Sequence, residues 1–250
     1  MIKSKQMNQK EYKSFFFKKI IFLESFTYHT ILKYLHEYTK KGGDILDAGC
    51  GEGNISFYLA NKNKKVVAID ISKKAILKCK KKAQQLQLIQ NPTFRQGNFE
   101  KQKLNSKFDL AICIEVIEHV KKPILMLKNL QKHLKPGGIL FLTTPSKNAP
   151  LFKIGIIKKY DQKVGHLRRY TPQELKKILK SLKFKIVKTW EAEGILKNFL
   201  FFNEIGIPIL KVINKLTVIA SIVNAIDDFM SKIFGASQII IVAKKQTDKK

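Results

Sequence analysis

The sequence predicts an α/β chain in which a doubly wound, mostly parallel sheet is covered by helices on both faces. Three observations carry that prediction. A short apolar run enters a loop with glycine at alternate positions, I45-L-D-A-G-C-G-E-G53. A second apolar run, V66-V-A-I-D70, ends in an acid about 20 residues beyond those glycines, where a βαβ nucleotide site places the carboxylate for ribose hydroxyls. A third run, F108-D-L-A-I-C-I-E115, is apolar almost throughout, as a central strand buried on both faces requires.

The elements follow in order. Phe15, Phe16, Ile20, Leu23, Phe26, Ile31 and Leu35 recur near helical spacing, which predicts one or two amphipathic helices before the first strand. Strands are predicted at 44–48 and 65–71, each followed by a helix, the second opening at Ser72 as N-cap. T93-F-R-Q-G97 and 108–115 read as strands three and four, L134-K-P-G-G138 as a turn, and 139–144 as strand five. T171-P-Q-E174 is a capping box with proline at the first helical position, starting a helix through Leu175, Ile178, Leu179 and Leu182. F184-K-I-V-K-T-W190 and Q238-I-I-I-V-A243 read as the final strands. The reading is of a single domain over 1–250. Its parts are an N-terminal helical cap (1–41), a ligand-binding core (42–145), a loop, helix and strand (146–194), an apolar helical insert (195–235), and a last strand with a lysine-rich tail (236–250).

With 250 residues, 44% of them hydrophobic, the chain can bury a full core. Its formal charge of +29 invites a polyanion, either nucleic acid or anionic lipid. The cations are nearly all lysine, however. Arg95, Arg168 and Arg169 are the only arginines, although arginine is the better phosphate fork. A coding bias toward lysine therefore stays open beside a real anionic partner. Cys50, Cys79 and Cys113 are scattered and form no C-x-x-C pair, so neither a disulfide framework nor a zinc knuckle is indicated. The I20-I-F-L23 run is ended by Glu24 and reads as no signal peptide. A cytoplasmic setting is expected.

The order of these signals resembles the class I S-adenosylmethionine-dependent methyltransferases. The resemblance rests on D47-A-G-C-G-E-G53, Asp70, G97-N-F99, F108-D-L-A-I-C-I-E-V-I-E-H-V120 and L134-K-P-G-G138, and covers about residues 42–190. It implies a Rossmann-like seven-stranded sheet whose last strand is antiparallel, with the insert between the last two strands. It also implies S-adenosyl-L-methionine as cofactor. Asp47, Ala48, Gly49, Cys50, Gly51 and Gly53 would hold its methionine part, Cys50 acting there as a small residue. Asp70 would take the ribose hydroxyls, Ile71 and Phe99 the adenine faces, and Asn98 the adenine edge in place of the family's usual Asp. Glu115 would complete the cofactor site.

E115-V-I-E118-H119 follows strand four, and its acids and imidazole share one face if a helical turn begins there. G165-H-L-R-R-Y-T171 offers His166. This set resembles two metal-assisted groups, the ubiquinone-pathway O-methyltransferases and the small-RNA ribose 2′-O-methyltransferases. The implied catalytic and metal residues are Glu115, Glu118, His119 and His166, with Mg²⁺ as the ion. Related sequences also carry E-x-x-E-H without metal, with Glu115 orienting a ligand and His119 acting as base or cap. For Arg168 and Arg169, a structural ion pair and a contact to a substrate anion are both open.

In the insert, apolar residues recur at 209, 212, 213, 216, 219, 223 and 226, interrupted by Lys211 and Lys215. That stripe is too broken for a transmembrane span. It reads as a lid or core over the acceptor, or as a contact with an anionic membrane at its inner face. The expected function is methyl transfer to a hydroxyl of a small-molecule or lipid-linked acceptor. Two alternatives stand beside it: metal-assisted RNA ribose 2′-O-methylation, and a non-catalytic cofactor-binding partner protein.

Overall fold

A computed structural model describes residues 10, 13, 16, 17, 25–40, 43–88, 90–202 and 206–247. Helix α1 (His29–Thr39) precedes β1 (Asp44–Ala48), α2 (Asn54–Asn61), β2 (Lys65–Asp70), α3 (Lys73–Leu86), β3 (Thr93–Gln96) and β4 (Phe108–Ile114). There follow α4 (Pro123–His133), β5 (Leu134–Pro145), the short α5 (Pro150–Lys153) and α6 (Lys158–Val164), α7 (Pro172–Ser181) and β6 (Phe184–Ala192). The insert forms α8 (Ile195–Phe202), α9 (Gly206–Ile213) and α10 (Thr217–Phe234), and β7 (Gln238–Lys245) closes the order.

The seven strands lie in the order β3-β2-β1-β4-β5-β7-β6. β7 is antiparallel to both neighbours, and the other described pairings are parallel. The chain moves outward from β1 on one side and restarts at β4 on the other. Ligands bind beyond the carboxyl ends of strands at such a reversal. The apolar runs explain the layers: β4, β5 and β7 are buried nearly throughout. One core packs around Phe57, Phe94 and Phe141, and a second on the other face around Leu127, Leu130 and Leu179.

The predicted caps form. Ser72 Oγ accepts from the Ala75 N–H at 3.2 Å. Thr171 Oγ1 accepts from Glu174 N–H at 3.2 Å, while Glu174 Oε2 accepts from Thr171 N–H at 2.8 Å. The L-K-P-G-G turn lies inside β5 rather than before it. Pairing steps from Phe108–Leu134 to Leu110–Ile139, and Gly137, at φ 73°, makes the kink.

Of the predicted N-terminal apolar face, Phe16, Phe26, Ile31 and Leu35 are buried. Phe15, Ile20 and Leu23 lie outside the described residues, as do 248–250 of the tail. The insert's helical stripe is divided between inside and outside. Its predicted stripe does not all face inward: Ile213 is buried, but Ile209, Val212, Leu216, Ile219 and Ile226 are exposed. The insert packs instead through a small cluster of Phe26, Leu200, Leu210, Ile213 and Ala220. The buried side of α10 carries Asn224 and Asp227. Asp227 accepts from the Gly194 and Lys197 N–H groups at 2.7 and 2.9 Å, bonds that outweigh an apolar alternative at that position. Among the described residues, no helix is long and apolar enough to cross a membrane.

Candidate active site

The glycine loop leaves β1 with Gly49, Gly51 and Gly53 all at positive φ (86°, 51° and 75°). A Cβ on Gly49 would sit 2.3 Å from Val116 Cγ2. One on Gly51 would meet nothing within 4 Å, so this backbone stands open to a ligand. Asp70 fixes the loop: Oδ2 accepts from Gly51 N–H and Oδ1 from Ser72 N–H, both at 2.8 Å. Behind the loop, Asp47 is buried and accepts from Ser56 Oγ at 2.5 Å. Burial, with Asp70 nearby, raises its carboxyl to about 7 despite that bond.

A cleft of 620 Å³ opens here, within the usual size for a cofactor site. Gly49, Gly51, Asp70, Ile71, Asn98, Phe99 and Glu115 all line it. Four expected cofactor residues stand outside that lining. Asp47 and Ala48 are buried behind the loop. Cys50 aims Sγ at the Gly51 carbonyl, beside Cys79. Contact with Cys79 and burial raise the Cys50 thiol, so it is no nucleophile. Gly53 is required by packing, since a Cβ there would press on Cys79 and Phe94. Asn98 lies in the cleft lining, and its Oδ1 also caps its own turn, accepting from Glu100 N–H at 2.8 Å.

Glu115 leaves β4 at φ 53°, a left-handed conformation uncommon for a residue with a side chain. Thr143 Oγ1 and Gln238 Nε2 donate to its Oε1 at 2.7 and 3.2 Å. Burial raises its carboxyl to about 7, against the pull of Thr143 and with the charge of Glu193 adding to the rise. The next residues form tight turns rather than an α-helix, with His119 N–H donating to Val116 O at 3.0 Å. Glu118 is fully buried. Thr144 Oγ1 donates to its Oε2 at 2.9 Å, and its Oε1 has no hydrogen-bond partner. Burial and the neighbouring Glu115 push Glu118 well above the usual carboxylate range.

His119 Nδ1 lies 3.1 Å from the Gly165 carbonyl. A carbonyl only accepts, so Nδ1 carries the hydrogen and Nε2 presents its lone pair. Burial lowers the imidazole's pKa. His166 Nδ1 lies 2.9 Å from Asp161 Oδ1. Burial alone would raise Asp161, but its bonds to Arg169 and His166 hold it at about 2. Arg169 grips both Asp161 oxygens, at 2.7 and 2.6 Å, and Arg168 donates to Val120 O at 2.7 Å. Arg169 thus forms a structural ion pair with Asp161 while also lining the second cavity, and Arg168 braces a backbone carbonyl. The rings of His119 and His166 meet edge to face at 4.8 Å. Glu118, His119 and His166 offer ligand atoms within 4.8 Å of one another. Glu115, expected in that set, is not part of this cluster.

A second cavity of 390 Å³ lies across Glu115 and His119, which line both spaces. Its other walls include Tyr160, His166, Glu193 and Phe202. The expected catalytic residues Glu115, His119 and His166 are thus brought together at its edge, with Glu118 buried behind them. Sequence reasoning missed Glu193, Gln238, Thr143 and Asp161.

A family model described as a methyltransferase domain matches residues 39–193. The chain belongs to that family. This methyltransferase is 37% identical over 128 residues to the ubiquinone biosynthesis O-methyltransferase of Coxiella burnetii, covering 50% of the chain and 54% of the relative. The chain thus spans about half the length of the curated relatives it matches. Among solved structures, magnesium protoporphyrin IX methyltransferase from Synechocystis PCC 6803 with bound SAH superposes with a TM-score of 0.59 at 21% identity, over 88% of this chain and 82% of that one. The cyclase SpnF superposes with a TM-score of 0.63 at 17% identity, over 87% and 80%. These two likenesses concern the fold, which is the Rossmann-like methyltransferase fold with its antiparallel β7. That one neighbour is named a cyclase shows that the fold alone does not fix the reaction.

Proposed function

We propose that this methyltransferase moves the methyl of S-adenosyl-L-methionine to a hydroxyl oxygen of a small-molecule acceptor, a lipid-linked ring being the best-fitting class. The observation that carries the reading is the pair of cavities meeting at Glu115 and His119. Methyl donor in one and acceptor in the other would be aligned across that shared wall. When bound, the sulfonium supplies an already activated methyl, which leaves alignment and proton removal to the chain. Gly49, Gly51 and Asp70 would hold the donor, with Phe99 lining the same cleft as an aromatic face for its purine. His119, neutral because burial lowers its pKa, takes the hydroxyl proton at Nε2. Glu115, held by Thr143 and Gln238, orients the acceptor. The lipid-linked class draws support from the name of the Coxiella burnetii relative and from the apolar insert beside the second cavity, and it brings with it peripheral contact with an anionic membrane. No observation in the site favours RNA or a non-catalytic role.

A divalent cation fits the same place. Glu118 Oε1 lacks a partner in the protein, and the Nδ1 bonds of His119 and His166 leave both Nε2 atoms as donors. Glu118, His119 and His166 would hold the ion, which would lower the pKa of the acceptor hydroxyl; His119 Nε2 would then be a ligand instead of the base, so the two are alternative routes to the same deprotonation. Two imidazoles and one carboxylate suit zinc or another borderline ion better than the Mg²⁺ expected from the sequence.

Titration calorimetry tests the donor site, and absence of heat with S-adenosylmethionine would end the reading. With a catechol-type acceptor and labelled donor, His119→Ala should lower kcat about 100-fold or more with donor affinity kept. Glu118→Ala should abolish any loss of turnover caused by EDTA. Equal turnover of both proteins with and without EDTA removes the metal.

A further inference from the structure

The helix α10 is turned the wrong way for a free protein. Its inward side carries Asn224 and Asp227, each under 5% exposed, while its outward side carries Val218, Ile222, Ile226, Phe229 and Ile233 at 47–73%. Those positions step by four, four, three and four residues, one continuous face of a helix. A soluble surface seldom leaves so long an apolar stripe uncovered.

The stripe is not isolated. α10 packs on α8, and α8 packs on α5. The segment from the end of α5 to the start of α6, K153-I-G-I-I-K-K159, exposes Lys153, Ile154, Ile156, Lys158 and Lys159 in close alternation. On α8, Phe199 is 46% exposed and meets Phe202 edge-on at 5.4 Å. Phe202 and Tyr160 line the second cavity. An aromatic path thus leads from this surface to the acceptor space.

Charge selects the occupant. Lys153, Lys158, Lys159, Lys215 and Lys232 are exposed around the apolar face. The described carboxylates in the same segments are engaged: Asp161 by Arg169, Asp227 by two backbone amides, Asp228 by Lys33 at 2.9 Å. A second copy would bring a like-charged rim against this one, on a chain of net charge +29.

We infer that the outward face of α10, with the Ile–Lys segment at 153–159, docks on an anionic bilayer and sets the second cavity beside the lipid phase. The apolar side chains enter the headgroup boundary and the lysines meet the phosphates. Docking stands without the proposed reaction; delivery of a lipid-linked acceptor along the aromatic path rests on that reading.

The test uses the full chain with no methyl donor or acceptor present, so its outcome is separate from that of the activity assays. Vesicles of phosphatidylcholine with and without phosphatidylglycerol are sedimented with the protein. Binding is expected only with phosphatidylglycerol and should fall as salt rises. The double variant Ile222→Ser/Phe229→Ser, changed only at exposed positions, should lose at least about fivefold in bound fraction with its circular dichroism and melting unchanged. Lys153→Glu/Lys158→Glu, at the two ends of the Ile–Lys segment, should lose a similar share. Three results overturn the inference: no binding by the native chain, equal binding to neutral vesicles, or undiminished binding by both variants. A native dimer in sedimentation equilibrium that Ile222→Ser/Phe229→Ser splits also overturns it, assigning the face to a second copy.

Discussion

Behind the glycine loop, Asp47 couples proton binding to folding. Its carboxyl is raised from 3.8 to about 7 in the folded chain, so the native state holds a proton that the unfolded state releases. Stability from this group is greatest below its unfolded pKa and declines as pH rises through about 7, by on the order of 4 kcal/mol in all. Chemical denaturation from about pH 4 to about pH 8 should show that decline, and Asp47→Asn should remove its share. Asp161 behaves oppositely: held at about 2, it loses its contribution as pH falls toward that value. Gly49→Ala adds a Cβ 2.3 Å from Val116 at φ 86°. It should weaken S-adenosylmethionine binding at least about tenfold, the equivalent of ~1.4 kcal/mol, well within the cost of such strain. At this scale the sequence reveals the residues that lie in contiguous patterns, Gly49, Gly51, Asp70 and Glu115 through His119. It hides Gln238, which reaches Glu115 from 123 positions away, because no local spacing links them.

Helices and strands announce themselves through caps and periods. The Thr171–Glu174 box is legible because both of its bonds lie within four residues. Thr171→Ala should cost about 1 kcal/mol in thermal or urea unfolding with donor affinity unchanged. The insert shows the limit of periodicity. A helical stripe at 209–226 is visible in the sequence, but the period does not say which face turns inward. That choice is made by Asp227 reaching the amides of Gly194 and Lys197, and these partners lie 33 and 30 residues away. The bent start of β5 has a similar origin, since K-P-G-G signals a turn without revealing that Leu134 ahead of it already pairs with Phe108.

Across the whole molecule, the acceptor side is assembled from distant stretches. Residues just before and within α1 bond to the insert through Ser25–Asn214 at 3.0 Å, Lys33–Asp228 at 2.9 Å and Lys197–Thr30 at 2.9 Å. Lys197 is 1% exposed and also pairs with Glu193 at 3.2 Å. Replacing it with Met leaves Glu193 uncompensated beside the second cavity and frees Thr30 from the insert. Lys197→Met should raise KM for the acceptor several-fold while calorimetry finds S-adenosylmethionine affinity unchanged. A parallel α/β sheet is legible from alternating runs because each β-α unit is local. The closure of cap over insert is not, since it depends on contacts between positions 167–195 residues apart.

The place of β7 between β5 and β6 has a consequence for how the protein is made. Translation delivers β5 and β6 before the strand that joins them, with the whole insert still to emerge in between. Until Gln238–Lys245 leaves the ribosome, the apolar flank of β5 is a bare edge awaiting its partner. Nascent chains stalled between Ala192 and Gln238 are therefore the species most prone to clump and most in need of a chaperone, whatever the finished enzyme's stability.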